Sequence, residues 1–196
     1  MLLFLFAAIS VGGGLVLGMG TWWLRVSTYE GQANGARAHL AFDADCAEAG
    51  DVLAARLADY GIPADRAGPS SFDVTLPGAL PDELEHMPKA LVAPGLLEVT
   101  IKGERQAIQV ENVGMQLAFS GVPVTLLMVK DPLPEEGVAA RLDGEEVPVE
   151  EITGPELQIA AYAPQSTEAL RLATDRAVAI RRPLPCPVRI SEAVRR

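Results

Sequence analysis

An unbroken apolar run opens the chain: residues 1–24 (MLLFLFAAISVGGGLVLGMGTWWL) contain no charged side chain. At 1.5 Å per residue such a run makes a helix of about 36 Å, enough to cross a hydrocarbon core of about 30 Å with some tilt. Backbone in lipid must satisfy its own hydrogen bonds, so a single span has to be helical. Trp22 and Trp23 stand where that span would meet the headgroups, and Arg25 is the first charge in the chain. The pattern predicts a retained membrane anchor. A cleaved signal peptide fits less well, because no Lys or Arg lies ahead of the run; a buried helix of a soluble protein is the third reading. Gly14 and Gly18 fit the small-xxx-small spacing that lets two membrane helices approach closely, although glycine is common in such helices anyway.

Beyond the run the period changes. Residues 25–37 (RVSTYEGQANGAR) are mostly small and polar and read as a juxtamembrane linker. HLAFDA (39–44) alternates as a strand does. Asp45 is placed to cap a helix over about 46–60, in which Leu53, Leu57 and Tyr60 recur at helical spacing before Gly61 and Pro63 stop it. FDVTLPG (72–78) predicts a second strand, Pro81-Asp82-Glu83 start a short helix near 81–90, and LLEVTIKG (96–103) predicts a third strand.

From 104 to 164 the character shifts. AIQVEN, MQLAFS, VTLLMVK, AARLDG, VPVEEI and LQIAAYA are short strand candidates between Gly and Pro turns, the pattern of an antiparallel insertion. Ser166 then caps a helix to about Arg182, with Glu168 in its first turn and Leu170, Ala173, Ala177 and Ile180 along one face. Pro183 ends it, and CPVRI (186–190) reads as a last strand.

Charge narrows the function. The chain carries 16 basic and 26 acidic residues, a net charge of −10, all of it beyond residue 24. Phosphate backbones and anionic lipid are bound by neutralising negative charge with Lys and Arg, so nucleic acid is not an expected partner. Two cysteines and two histidines, with His39 and His86 far apart, do not make a metal cluster of ordinary spacing. Both histidines read as structural, His39 on a half-buried strand and His86 on a helix surface. No G-x-S-x-G, H-E-x-x-H or phosphate-binding loop occurs, so no catalytic residue, cofactor or metal is assigned and an enzyme is not expected. The densest carboxylates, Glu145, Glu146, Glu150 and Glu151, flank a Val-Pro-Val that interrupts the short regular spacing of a calcium loop. They read as the solvated rim of one acidic hairpin, where charge blocks edge pairing.

One family's order of motifs runs through these elements. RLDGEEVPVEEITG (141–154), the Ser166–Arg182 helix and Leu184-Pro185-Cys186-Pro187 resemble the closing half of the first periplasmic domain of SecD, a protein-export membrane subunit. AHLAFDAD (38–45), LADYGIP (58–63 with its preceding leucine), FDVTLPG and LLEVTIKG are similar to its front half, in the same order, and ENVGMQLAFSG (111–121) resembles the segment before its leucine-aspartate-glycine turn. Ala36-Arg37 replaces the glycine pair that usually precedes the first strand, and the segment between the LDG and ITG turns is shorter. The chain shows no counterpart of the later membrane bundle, with its intramembrane acidic residue, to which the family's proton-driven work is attributed. A complete motor is therefore not expected.

The resemblance implies an α+β protein: a single transmembrane helix (1–24), a linker (25–37), a ferredoxin-like base (38–103 and 185–192) and an inserted strand-rich head (104–184). It implies a non-enzymatic accessory in the cytoplasmic membrane, its soluble domain periplasmic, contacting exported polypeptide or an export complex. The alternative is a bitopic scaffold whose domain binds one folded protein partner. The candidate contact residues are Leu142, Asp143, Gly144, Ile152, Thr153 and Gly154. Arg25 and Arg37 follow the span, so the positive-inside signal points the other way, thinly. First and last strands are antiparallel neighbours in a ferredoxin-like base, which would bring Cys46 beside Cys186. The resemblance thus implies a disulfide between them, of the kind that persists in an oxidising compartment; two unrelated buried thiols are the alternative.

Overall fold

The computed structural model describes residues 36–76 and 83–196. The predicted span 1–24, with Gly14 and Gly18, and nearly all of the linker lie outside the described residues. Among the described residues, no helix is long and apolar enough to cross a membrane. Strands predominate, in three antiparallel four-stranded sheets accompanied by three helices.

The first sheet is built from both ends of the described chain. Strand β1 (Ala36–Ala44) leads to helix α1 (Ala49–Asp59), a hairpin of β2 (Ala64–Gly68) and β3 (Ser71–Leu76), and helix α2 (Glu83–Val92); β12 (Val188–Arg195) returns to it at the far end of the chain. The strand order is β12-β1-β3-β2. Alternation in β1 does what the period-two pattern demands: Ala38, Leu40 and Phe42 are buried while Arg37 and Asp43 face water. Leu53, Leu57 and Tyr60, spaced along one stripe of α1 and its end, meet Phe72, Val74, Met87 and Leu91 in one apolar core. A buried leucine or phenylalanine contributes about 1.5–3 kcal/mol there.

Two expectations about this sheet need correction. β2 (ADRAG) was not visible in the hydrophobic pattern, because its residues are almost all exposed and its pairing rests on backbone hydrogen bonds to β3. Residues 96–103 do not belong with the base strands. Within them, β4 (Leu97–Ile101) pairs instead with β5 (Glu104–Gln106) and β8 (Val138–Leu142), because Val99 is fully buried in a second core that the base does not share. The helix caps also differ from expectation: α1 starts at Ala49 after Glu48, while Asp45 instead donates its backbone N–H to Pro187 at the start of β12.

The second and third sheets surround that second core. β6 (Val110–Leu117), β7 (Pro123–Val129), β10 (Val149–Thr153) and β11 (Glu156–Ala160) order as β10-β11-β7-β6; β4, β5, β8 and β9 (Glu145–Val147) order as β5-β4-β8-β9. Leu127, Val129, Leu157 and Ile159 from one sheet and Val99, Ala140, Leu142 and Val147 from the other share the core with Ala177 and Ile180 of helix α3 (Ser166–Arg181). Thr125 Oγ1 donates to the Ala173 carbonyl at 2.9 Å, which satisfies a buried hydroxyl against the helix backbone.

The expected single acidic hairpin is two. Glu145 and Glu146 lie in β9, paired with β8, whereas Glu150 and Glu151 lie in β10, paired with β11. Pro148 is the crossing point. It has no N–H for either ladder, and its carbonyl accepts from Ala160 at 2.9 Å.

Helix α3 joins the two cores, since Val178 packs into the first while Ala177 and Ile180 pack into the second. Asp175 of the same helix accepts from Tyr60 Oη at 2.9 Å and bonds His86 Nε2 at 2.8 Å, so one carboxylate ties together all three described helices. At the centre of the junction is Arg56, fully buried and hydrogen-bonded to no carboxylate among the described residues. Its guanidinium donates to the carbonyls of Leu91 (2.7 Å) and Ala93 (2.6 Å) at the end of α2, and to Arg182 (2.6 Å) at the end of α3. Two helix C-termini point their partial negative charge at one cation. Gly95 (φ +79°) passes so close to the Ala179 carbonyl that a Cβ there would lie 2.1 Å from its oxygen. Only glycine fits.

His39 also finds a structural place. Its Nδ1 bonds Asp73 across β1 and β3 at 2.7 Å, and Arg196 reaches the other carboxylate oxygen at 3.0 Å. The His39 bond, assisted by Arg196, holds the Asp73 carboxyl below its ordinary range. A depressed carboxylate pKa adds stability that is present above the unfolded value and is lost as pH falls through the folded one. Asp73→Asn is therefore expected to flatten the acid limb of the stability curve as pH falls below about 4, where the parent chain loses stability faster. Urea midpoints across that range check it; parallel curves would show that Asp73 contributes nothing to acid sensitivity.

Candidate partner-contact surface

The two turns singled out from the sequence serve the fold first. Asp143 (φ +54°) and Gly144 (φ +84°) both take left-handed backbone, the two-residue hairpin turn that Asp-Gly favours, linking β8 to β9. Asp143 is held twice by one residue: its N–H donates to the Leu96 carbonyl at 2.9 Å, and its Oδ1 accepts the Leu96 N–H at 2.7 Å. Leu142 is buried. That leaves Gly144 and the exposed side of the turn, beside the largely exposed Leu96, as accessible surface.

The other turn joins β10 to β11 in the second sheet. Ile152 packs partly against the core, Thr153 is exposed and donates to Glu151 Oε1 at 3.2 Å, and the carbonyl of Gly154 (φ +61°) accepts from Leu133 at 3.0 Å. The six candidate residues therefore fall on two hairpins in two different sheets. Thr153, Gly154, Asp143 and Gly144 face water; Leu142 and Ile152 do not present their side chains freely.

Sequence reasoning missed one exposed apolar feature. The β6–β7 connection (118–122) carries Phe119 fully in water beside half-exposed Leu117, and Tyr162, just past β11, is 60% exposed. Glu150 lies between these elements: Ser120 Oγ donates to its Oε1 at 2.9 Å, and Tyr162 Oη to its Oε2 at 2.6 Å. The Tyr162 bond, then the Ser120 bond, hold the Glu150 carboxyl below its ordinary range, while the same contact raises the Tyr162 phenol. The available signal was Ser120-Gly121, a turn dipeptide that puts Phe119 outside the sheet ladder.

Cys46 and Cys186 are joined by a disulfide, with Cα atoms 6.2 Å apart. It lies where β1 ends and β12 begins, beside the Ala44–Val188 pair. Among the described residues, no group of three His, Cys, Asp or Glu side chains is arranged to hold a metal ion.

No family model matches the chain, and no curated protein matches it. Solved structures do. One is a structure of SecDF, described as a membrane component that enhances protein export; it matches with a TM-score of 0.51 at 16% identity, covering 79% of this chain and 98% of that one. A second, SecDF in a super-membrane-facing form, matches with a TM-score of 0.54 at 16% identity, covering 91% of this chain but only 34% of that one. The chain thus spans about a third of the longer SecDF structure. At this identity the likeness is one of fold, and the fold is SecD-like.

Proposed function

We propose that this chain is a membrane-anchored, SecD-like domain that acts without catalysis in the cell envelope, contacting exported polypeptide or an export complex. The observation that carries the reading is the fold shared with SecDF over 79% of the chain. The base supports its finer form. A β-α-β-β-α-β connectivity with order β12-β1-β3-β2 is that of a ferredoxin-like sheet, and residues 93–187 are inserted before its last strand as a strand-rich head. The Cys46–Cys186 bond supports an oxidising, hence periplasmic, location for the domain. The apolar run at 1–24 supplies the anchor in this reading.

A photoreactive side chain placed at exposed Glu145 or Thr153, activated in native membranes, tests the contact. Many adducts of different mass, lost when export is blocked, are expected. One discrete adduct of constant mass would sink polypeptide handling and assign the domain to a scaffold with a single folded partner.

A further inference from the structure

Four strand ends converge at one end of the second sheet. Leu117 pairs with Pro123 across the β6–β7 turn, Ala160 pairs with Val124, and Val149 pairs with Ile159, which brings the start of β10 and the segment after β11 beside that turn. Scattered exposed apolar residues need no explanation. Here three of them, two at the β6–β7 turn and one just past β11, lie on the two segments whose hydroxyls hold one carboxylate. Phe119 has its whole side chain in water, Leu117 about half, and Tyr162 more than half. The hydroxyls of Ser120 and Tyr162 orient Glu150 without neutralising it, and no Lys or Arg among the described residues pairs with it.

The combination selects its partner by chemistry. Covering Phe119 and Leu117 requires an apolar surface, since their hydration is relieved only by burial. Glu150, ionised and already positioned, requires a cation, and the Tyr162 ring beside it adds an aromatic face that also favours one. We propose that this tip binds a short polypeptide segment in which apolar residues adjoin a Lys or Arg. The proposal rests on the export reading only in taking polypeptide as the ligand. An anionic lipid surface fits poorly, because the chain carries −10 and the exposed residues of the tip include no Lys or Arg; Arg176, half-buried behind it, is engaged with the Ala160 carbonyl at 2.6 Å. A second copy fits poorly too: a two-fold contact through this patch would set Glu150 against Glu150.

The test uses the full chain in nanodiscs of zwitterionic lipid. Fluorescent peptides with a leucine-rich core are compared, one flanked by Lys-Arg and the other by Glu-Glu, with binding read by anisotropy. The basic peptide is expected to bind at least about tenfold tighter than the acidic one. Phe119→Ser should weaken the basic peptide by about tenfold or more, and Glu150→Gln should remove most of the preference between the two. Both side chains are outside the apolar cores, so unchanged thermal unfolding of the variants shows that the fold is intact. Equal binding of the basic peptide by parent and variants would overturn the proposal. So would tighter binding to vesicles containing anionic lipid than to the peptide, or dimerisation that Phe119→Ser abolishes. If the tip fails while Glu145 and Thr153 still give export-dependent adducts, only this inference falls; if the tip binds peptide but those positions give one discrete adduct, only the export reading falls.

Discussion

Replacing Arg56 with methionine is expected to destabilise the folded domain by about 3–5 kcal/mol, more than any single apolar truncation at the surface of either core. Two opposing effects set the size. Burying a guanidinium costs several kcal/mol, and that cost shows in a pKa pushed down to about 10, still protonated at neutral pH. Against it stand short charge-assisted bonds to the Leu91, Ala93 and Arg182 carbonyls, with longer ones to Pro94 and Ala179. Each bond to a charged donor contributes about 1.5–3 kcal/mol. Methionine keeps most of the volume but strands those carbonyls at two helix ends, with the Leu91 and Ala179 bonds fully buried. Lysine keeps the charge yet lacks the planar fork that reaches both helix ends, so Arg56→Lys should lose about half as much. Urea unfolding followed separately by a reporter in each core measures both effects. Loss of coincidence between the two transitions is expected in Arg56→Met, because the residue joins α1 to the ends of α2 and α3. A loss below about 1 kcal/mol would mean that the junction is held by apolar packing alone.

Arg56 also shows where sequence reasoning stops. Within ARLADYG it looks like an ordinary solvated position on an amphipathic helix, and nothing local says that five carbonyls, up to 126 residues away, converge on it. Leu53 and Leu57 on the same helix were legible, because their partners matter less than their spacing: any apolar surface meeting that stripe buries them. Ala173, Ala177 and Ile180 on α3 were legible for the same reason. The assignment of Leu97–Ile101 was not, since its alternation predicts a strand but not which neighbour it pairs with. Strand β2 was hidden because an exposed edge strand has no hydrophobic period to read. At the contact surface, Leu142-Asp143-Gly144 announced its turn through Asp-Gly chemistry. What Asp143 does with Leu96, 47 residues earlier, depends on a tertiary contact. Phe119 escaped notice within a run that alternates like its neighbours; only its place beyond the ladder exposes it.

Reducing the Cys46–Cys186 bond is the second change expected to act strongly. The bond closes a loop of 140 residues, for which the chain-entropy relation gives about 5 kcal/mol, an upper figure because any native strain subtracts from it. The closure spans nearly everything described: both helices of the base, the whole insertion and α3 lie between the two cysteines. Its position adds a local effect. β12 is an edge strand whose other residues are largely exposed, so apart from Val188 its attachment to β1 rests mainly on the backbone ladder. Without the bond, that ladder is the first part of the base expected to open, since edge strands with few buried contacts lie at the low end of local stability. Cys46→Ser with Cys186→Ser should therefore lower stability by about 3–5 kcal/mol and speed amide exchange in β12 well before β3. Urea unfolding with and without reductant, combined with exchange measurements, checks both parts. The same chemistry tests the location. Protein taken from native membranes and alkylated without reduction should show no free thiol at either position; two alkylated cysteines would remove the oxidising compartment from the reading and turn the domain toward the cytoplasm.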